Sequence, residues 1–469
     1  MKKYYSLLCA LFSLLNGLSN AQYNTIYNFN SSNGRNPRGS LIESANKLYG
    51  MTFGGGKQGV GVVFSVDTNG NNYTDLHDFN DTMGEEPYGS LIVVENKLFG
   101  MTTNGGPDNA GCIFSLDTNG NGFKLLLNFN DTNGEWPYGS LVFSGNKLLG
   151  MTSSGGKYNQ GVIFSINTDG SNYKCMFNFN TLTGQSPYGS LLLSGNLLYG
   201  MTEGGGVKGY GTIFSIDTSG VTYKKLYDFG DTNGEFPTGD IILIGNKLFG
   251  MTDQGGKYGG GNIFSINSNG TDFNNLHNFK DTNGGIPEGS LTISGNKLYG
   301  MTSSGGLFSA GTLFSIDSNG SNFSKLIDFG GGSISGEDPW YSSLIASGDV
   351  LYGMTNIGAA QYNGVIFSYK DTLNTTSIPE LISFINYVSI FPNPASSHIQ
   401  YAISSKDDKP VKMSVYNVLG EVVATQSLKL TQGTNTFSLN VYGFSSGVYL
   451  LQVSTIDGEC IASKKFVVE

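Results

Sequence analysis

The chain has 469 residues, enough for two or more domains or for one large repeat array. Its 69 glycines and only 13 % charged residues suit tight turns between short strands rather than helices, and 12 % aromatics exclude a disordered polar chain. The formal net charge of −10, with no cluster of lysine or arginine, excludes a nucleic-acid partner, because binding phosphates needs concentrated positive charge.

At the N-terminus Lys2 and Lys3 precede an apolar run over residues 7–15, and Ser19-Asn20-Ala21 is a small-x-small cleavage site ahead of Gln22. The pattern predicts a cleaved secretory signal peptide over residues 1–21, too short for a permanent membrane helix. Cys9 invites a lipoprotein reading, but Leu8 is too bulky for that processing site and the apolar stretch runs on past it. No later apolar run is long enough to cross a membrane, so no transmembrane segment is expected after cleavage. Cys112, Cys175 and Cys460 remain, an odd and sparse set that predicts no disulfide framework.

Gly-Met-Thr then recurs from Gly50, Gly100, Gly150, Gly200, Gly250, Gly300 and Gly353, five times at intervals of 50 residues and once at 53. Phe-Ser follows each copy, as at Phe64-Ser65 and Phe114-Ser115. In one repeat the β-rich runs are residues 89–94, 96–102, 111–116 and 123–129. The third reads as a strand buried on both faces, and the fourth is expected to place Phe123, Leu125, Leu127 and Phe129 on one face. Turns such as Asp67-Thr68-Asn69-Gly70 supply the positive φ of tight hairpins. Four such strands per repeat, without helical periodicity, read as a propeller blade; a β-helix fits worse because its coils are shorter.

Strands one to three occur seven times, but the fourth only six times, since the last repeat stops after Phe367-Ser368-Tyr369. Residues 23–29 carry the fourth-strand pattern ahead of the first repeat. The expected fold is therefore all-β: a seven-bladed β-propeller over residues 22–370, closed by the N-terminal strand pairing into the last blade. Residues 371–385 read as a polar linker. Residues 386–469 hold strand-like runs at 389–391, 412–417, 421–425, 436–439, 448–454 and 464–468, the pattern of a small Ig-like β-sandwich.

In that last stretch Phe391-Pro392-Asn393-Pro394-Ala395, Val415-Tyr416-Asn417-Val418-Leu419-Gly420, Gly447-Val448-Tyr449-Leu450-Leu451 and Lys464-Lys465-Phe466-Val467-Val468 follow one another. It resembles the type A C-terminal sorting domains of the Bacteroidetes type IX secretion system. The resemblance makes Pro392, Asn393, Pro394, Gly420, Gly447, Tyr449, Lys464 and Lys465 the sorting motif. It implies export to the periplasm, passage across the outer membrane with the type IX machinery as partner, and a secreted or cell-surface destination. A carbohydrate-binding sandwich is the alternative. Residues 23–369, through their Gly-rich, Gly-Met-Thr and Phe-Ser pattern, resemble the GloVer-type tandem-repeat family. That resemblance supports the fold and supplies no mechanism.

The loops between strands four and one and between strands two and three are long and are expected on one face, the natural place for binding. At the start of each inner strand, beside the expected channel, one residue varies while its neighbours repeat: Arg38, Tyr88, Tyr138, Tyr188, Thr238, Glu288 and Tyr341. Trp136, Phe236 and Trp340 lie nearby. Such a mouth suits stacking on sugar rings or holding a peptide; packing at the channel rim is the plainer reading. Asp131-Thr132-Asn133-Gly134-Glu135 resembles a calcium loop, but its glycine spacing is wrong, and Asp or Asn there more often caps a turn.

His77 and His277 fill a slot that is Tyr27, Phe177 or Tyr227 in other repeats, and His398 lies in the terminal stretch, which removes most histidine triads and zinc sites. No other cofactor or metal site is indicated. The expected function is a secreted surface module binding a glycan, peptide or protein. The alternatives are a carboxylate-based glycan-active hydrolase or lyase and a structural surface component.

Overall fold

Short β-rich runs punctuated by turn residues leave the chain little choice but hairpins, and the computed structural model is built from them. It describes residues 22–331, 336–358, 361–371, 385–391, 395–405, 408–417, 421–454 and 460–468, and among these every regular element is a strand. The expected signal peptide, most of the linker, Pro392, Asn393, Pro394 and Gly420 lie outside the described residues. The chain divides into two compact bodies, one ending at Thr372 and one beginning at Leu373.

In the first body each repeat forms an antiparallel sheet. In the second repeat Ile92–Val94, Lys97–Thr102, Cys112–Asp117 and Lys124–Asn128 pair in chain order, with Gly100 opposite Phe114. The third strand is buried from Cys112 to Leu116, as its unbroken apolar run requires. The fourth departs from the expected alternation. Leu125 pairs with Phe114 and Leu127 with Ile113, so a bulge falls at Leu126. It divides the strand's apolar side chains: Phe123 and Leu125 pack with Phe79 and Phe114, whereas Leu126, Leu127 and Phe129 pack with Leu148 and Phe164 of the next repeat.

Gly-Met-Thr sits at the end of the second strand. A β-carbon on Gly100 would stand 2.6 Å from Phe114 Cζ and 3.0 Å from Leu91 Cδ2, so the glycine makes room for the phenylalanine ring of its own sheet. Met101 packs against Leu141, Leu148 and Phe164 of the following repeat and so fills the gap between sheets. Thr102 is fully buried; its hydroxyl donates to Asn104 O at 3.0 Å and accepts the Cys112 N–H at 3.2 Å.

Near the start of each inner strand the backbone N–H donates to the side chain of the equivalent residue one repeat on. The bonds run Ser40 to Ser90 (2.7 Å), Ser90 to Ser140 (2.8 Å), Ser140 to Ser190 (2.8 Å), Ser190 to Asp240 (2.5 Å), Asp240 to Ser290 (2.8 Å) and Ser290 to Ser343 (2.7 Å). Ser343 N–H then donates to Ser40 Oγ at 3.2 Å, which returns the series to its start. The preceding glycines allow this approach, since a β-carbon on Gly89 would lie 2.2 Å from Gly139 O. Ser342 alone carries a β-carbon in that series, and the bond beside it is the longest of the cycle.

The sheet of the last repeat takes its outer strand from the other end of the chain. Gln22–Asn28 pairs with Val365–Lys370, Tyr23 opposite Tyr369 and Asn28 opposite Val365. Tyr23 stacks on Phe367 with ring centroids 5.2 Å apart, while Phe29 reaches the first repeat and packs edge-on against Phe64 at 5.2 Å.

The second body has two sheets. One orders Ile385–Phe391, His398–Ser405 and Gly433–Asn440; the other orders Val422–Leu430, Lys409–Tyr416, Gly447–Ser454 and Cys460–Val468. The strand His398–Ser405 falls outside the strand-like runs read from the sequence. Ile399, Tyr401 and Ile403 from the first sheet share one core with Val411, Met413, Leu451 and Phe466 from the second. Tyr449 donates its hydroxyl to Ser445 O at 2.7 Å, and Lys464 and Lys465 are exposed.

Because Phe29 joins the first and last repeats, Phe29→Ala is expected to cost about 3–5 kcal/mol in denaturant unfolding, and deletion of residues 22–30 more. An unchanged midpoint in either variant contradicts the pairing. The two repeat histidines generate a pH dependence. His277 stacks on Phe323 at 3.7 Å, as His77 does on Phe123, in the slot where Tyr227 stacks on Phe273. Burial holds the His277 pKa down at about 4, against an ordinary 6.5, and lowers that of His77 as well. Above pH 6.5 both folded and unfolded chains are neutral at His277; between 6.5 and 4 only the unfolded chain takes up the proton, so stability falls across that window. The double variant His77→Tyr, His277→Tyr is expected to flatten this decline in Tm, and a decline as steep as that of the native chain contradicts the assignment.

Candidate functional site

The variable residue at the start of each inner strand stands between a proline and a residue of the axial close approach, as in Pro87-Tyr88-Gly89, except that Trp340 intervenes after Pro339. Across the axis Tyr88 meets Tyr138 at 4.7 Å, Tyr138 meets Tyr188 at 4.4 Å, Tyr188 meets Tyr341 at 6.4 Å, and Tyr341 meets Tyr88 at 5.5 Å. The expected mouth is thus filled by its own tyrosines. They are not free platforms but one closed packing group, and with Thr238, Glu288 and the axial serines they leave a cavity of about 40 Å³, room for a water or two.

Arg38 does not join the tyrosine cycle but is clasped beside it. Its guanidinium carbon lies 3.7 Å from the centre of the Phe53 ring, 4.2 Å from that of Tyr88 and 4.3 Å from that of Trp340. The side chain is only 7 % exposed, and its Nε and Nη1 find no acceptor among the described residues. Burial lowers its pKa to about 10, opposed by the nearby Tyr341, Glu86, Tyr138 and Asp338.

Carboxyl groups gather round this cluster. Trp340 Nε1 donates to Glu288 Oε1 at 2.6 Å, and Thr238 Oγ1 donates to Asp253 Oδ1 at 2.9 Å. Burial pushes Glu288 up to about 7, against the lowering effect of its bonds from Ser303 and Trp340. Asp253 is pushed well above the carboxylate range by burial first, then by the charges of Glu288 and Glu203. Glu203 and Asp338 are raised by burial as well. Phe53, Glu203 and Asp253 were not singled out in the sequence. Their signal was present, because the first residue after each Gly-Met-Thr varies: Phe53, Thr103, Ser153, Glu203, Asp253, Ser303, Asn356.

The two long loops of each repeat are joined by short antiparallel bridges, such as Glu85 to Asn104 and Glu135 to Ser154, which puts them on the same side. Within the loops the turn is capped by asparagine: Asn130 Oδ1 accepts the N–H groups of Thr132 and Asn133 at 3.0 Å each. The Asp131 loop is thereby organised as a turn, with the Asp131 carbonyl accepting the Gly156 N–H at 2.8 Å.

The next loop position has a feature invisible in the sequence. In every repeat the residue before the proline is left-handed without being glycine: Asn36, Glu86, Trp136, Ser186, Phe236, Ile286 and Asp338 have φ between 52° and 56°. The backbone is held there by a bond from this residue's N–H to a carbonyl of the neighbouring repeat, Trp136 to Ala110 at 3.0 Å and Phe236 to Tyr210 at 3.0 Å. Asparagine, as at Asn36, or glycine adopts this conformation readily; tryptophan, phenylalanine and isoleucine pay on the order of 1–2 kcal/mol for it. Trp136, 43 % exposed, and Phe236 stand here, apart from the tyrosine cycle.

Comparison with known proteins bears on both bodies. The model of the Gloeobacter/Verrucomicrobia repeat family matches residues 10–197 and 137–367, and the model of the secretion system C-terminal sorting domain matches residues 389–469. The sorting domain marks the chain for type IX secretion, to the cell surface or beyond it. A search of curated proteins finds no match. Among solved structures, PorZ, an essential surface component of the type IX secretion system of Porphyromonas gingivalis, is similar at 14 % identity with a TM-score of 0.44, over 92 % of this chain and 59 % of that one. This chain therefore spans about three-fifths of the length of PorZ. An oligogalacturonate lyase in complex with manganese is similar at 12 % identity and a TM-score of 0.49, over 75 % of this chain and 96 % of that one.

The Arg38 clasp allows a test of what it is for. Arg38→Ala empties the space between three rings and is expected to cost on the order of 2 kcal/mol. Arg38→Met keeps most of the volume and removes two unpaired buried donors, so its stability is expected to equal or exceed that of the native chain. A methionine variant less stable than the alanine variant contradicts this reading.

Proposed function

Because the chain belongs to the Gloeobacter/Verrucomicrobia repeat family and ends in a type IX sorting domain, we propose that its repeats form a seven-bladed β-propeller, carried to the cell surface to bind a glycan. In this reading the second body is an Ig-like sandwich that serves export, and the ligand meets the long-loop side of the first.

The observation that carries the proposal is the row of left-handed non-glycine residues. A position where asparagine suffices for the fold holds Trp136, Phe236 and Ile286, at a cost to stability that asparagine would avoid. Flat aromatic faces suit the apolar faces of sugar rings, and the half-buried Glu203, Glu288 and Asp338 supply acceptors for sugar hydroxyls.

The full secreted chain, screened against neutral glycans, is expected to retain one class unmodified. Trp136→Asn and Phe236→Asn are expected to weaken that binding about tenfold or more, the loss of one stacking contact, while melting at the same temperature or higher. Undiminished binding in both variants overturns the site. Release of a cleaved product, abolished by Glu288→Gln, replaces the binding module with a glycan-active enzyme.

A further inference from the structure

The tips of the loops between the second and third strands hold side chains that the fold does not use. The backbone of the tip is fixed in the same way in five repeats: the N–H of Lys57, Lys157, Val207, Lys257 and Leu307 donates to a side-chain oxygen of Asp78, Asn178, Asp228, Asn278 and Asp328, at 2.7–2.9 Å. This bond asks nothing of the tip side chains, and in the first two repeats they are Lys57-Gln58 and Pro107-Asp108. From the third repeat to the last, each tip instead exposes a large apolar side chain: Tyr158, Val207, Tyr258, Leu307 with Phe308, and Tyr362. Leu307 is 73 % exposed and Val207 76 %. Tyr362 stands where other repeats have Gly59, Gly209 or Gly259 and shares their left-handed backbone, with φ at 56°, a conformation unfavourable for a tyrosine.

Charge divides the long-loop side along the same line. The loops of the first two repeats carry the exposed Asp81, Asp108 and Asp131, and Lys57 among them is paired with Asp78 at 2.7 Å. The loops of the third to sixth repeats carry Lys157, Lys208, Lys257 and Lys280 against the exposed Asp231 and Asp281. None of these four lysines forms an ion pair among the described residues. Lys157 Nζ and Lys257 Nζ each lie over the ring of the tyrosine that follows, 5.0 and 5.2 Å from its centre, which sets an ammonium beside an aromatic ring at two tips. In a chain of net charge −10, this arc is a local excess of positive charge interleaved with apolar side chains.

We infer that the tips of the third to seventh repeats dock on an anionic lipid bilayer, their apolar side chains entering the headgroup layer and the lysines meeting its phosphates. Apolar points separated by charged residues suit a fluid surface, which meets each tip separately; a protein partner would call for one continuous apolar patch. Tyrosine and lysine each join an apolar body to a polar end, the combination that settles at a membrane–water boundary. An anionic surface attracts the four lysines and repels the acidic loops of the first two repeats, so the contact has one orientation. The sorting domain brings the chain to the cell surface, beside a bilayer. The tips are distinct from Trp136 and Phe236 in the loops between strands four and one, so the inference does not rest on glycan binding.

The test is flotation of the full secreted chain with vesicles of phosphatidylcholine alone or of phosphatidylcholine and phosphatidylglycerol in equal parts. The native chain is expected to float with the mixed vesicles and to bind them roughly tenfold more tightly than the neutral ones, a preference that disappears in about 1 M NaCl. The double variant Leu307→Asn, Phe308→Asn is expected to melt at the native temperature and to bind the mixed vesicles about tenfold more weakly or worse. Lys157→Gln with Lys257→Gln is expected to reduce the preference for phosphatidylglycerol and to leave binding to neutral vesicles unchanged. Trp136→Asn is expected to float like the native chain. Absence of the native chain from the mixed vesicles, native-like binding by both double variants, or loss of flotation in Trp136→Asn overturns the inference. A native chain that sediments as a dimer, and as a monomer once Leu307 and Phe308 are replaced, also overturns it and makes a second copy the occupant of the tips.

Discussion

The first body depends on hydrogen bonds that cross from one repeat to the next at the axis. An amide at the start of an inner strand has no partner within its own sheet there. The side chain of the next repeat supplies one, and the series returns to its beginning through Ser343 and Ser40. Such a cycle leaves no amide of this set unpaired, whereas an open stack would strand one at its end. It also demands that backbones approach closely, which is why glycine precedes the axial residue in every repeat except the last. Where Ser342 breaks that rule, the final bond lengthens to 3.2 Å.

From this axis outward, the repeated tripeptide has three separate jobs. Its glycine admits a phenylalanine of the same sheet, its methionine packs the next sheet, and its threonine pins the long loop to the third strand. All three are buried, so the most repetitive residues of the chain carry the scaffold. Variation is displaced to the flanks, into the residue after the threonine and the residues beside each proline.

Much of the strand order was legible because repetition lets each element be read seven times, and the missing fourth strand of the last repeat pointed to residues 23–29. What escaped the sequence has physical reasons. The bulge at Leu126 converts a simple alternation into two packing faces, and a period-of-two pattern carries no sign of it. For the tyrosines the sequence leaves two readings, a mouth that stacks on a ligand and a packed channel rim, because spacing gives their level on the axis and not their mutual distance; at 4.4–6.4 Å their rings pack on one another. The left-handed backbone at Trp136 and Phe236 was hidden because residue type predicts against it. In the second body, His398–Ser405 lies outside the expected runs because its buried Ile399, Tyr401 and Ile403 alternate with His398, Gln400 and Ala402 and form no continuous apolar run.

The chain thus separates two kinds of cost. Scaffold positions are filled by the residue that fits best, while Arg38 and the left-handed aromatic residues carry unpaired donors or a strained backbone that a simpler residue would avoid. The axial cycle is the frame that tolerates them, and its existence is open to direct measurement. Native-state hydrogen exchange at the amides of Ser40, Ser90, Ser140, Ser190, Asp240, Ser290 and Ser343 should show all of them protected to the level of the buried third strands, with Ser343 the least protected. Exchange at the rate of exposed loop amides, at Ser343 alone or across the set, would contradict a closed cycle.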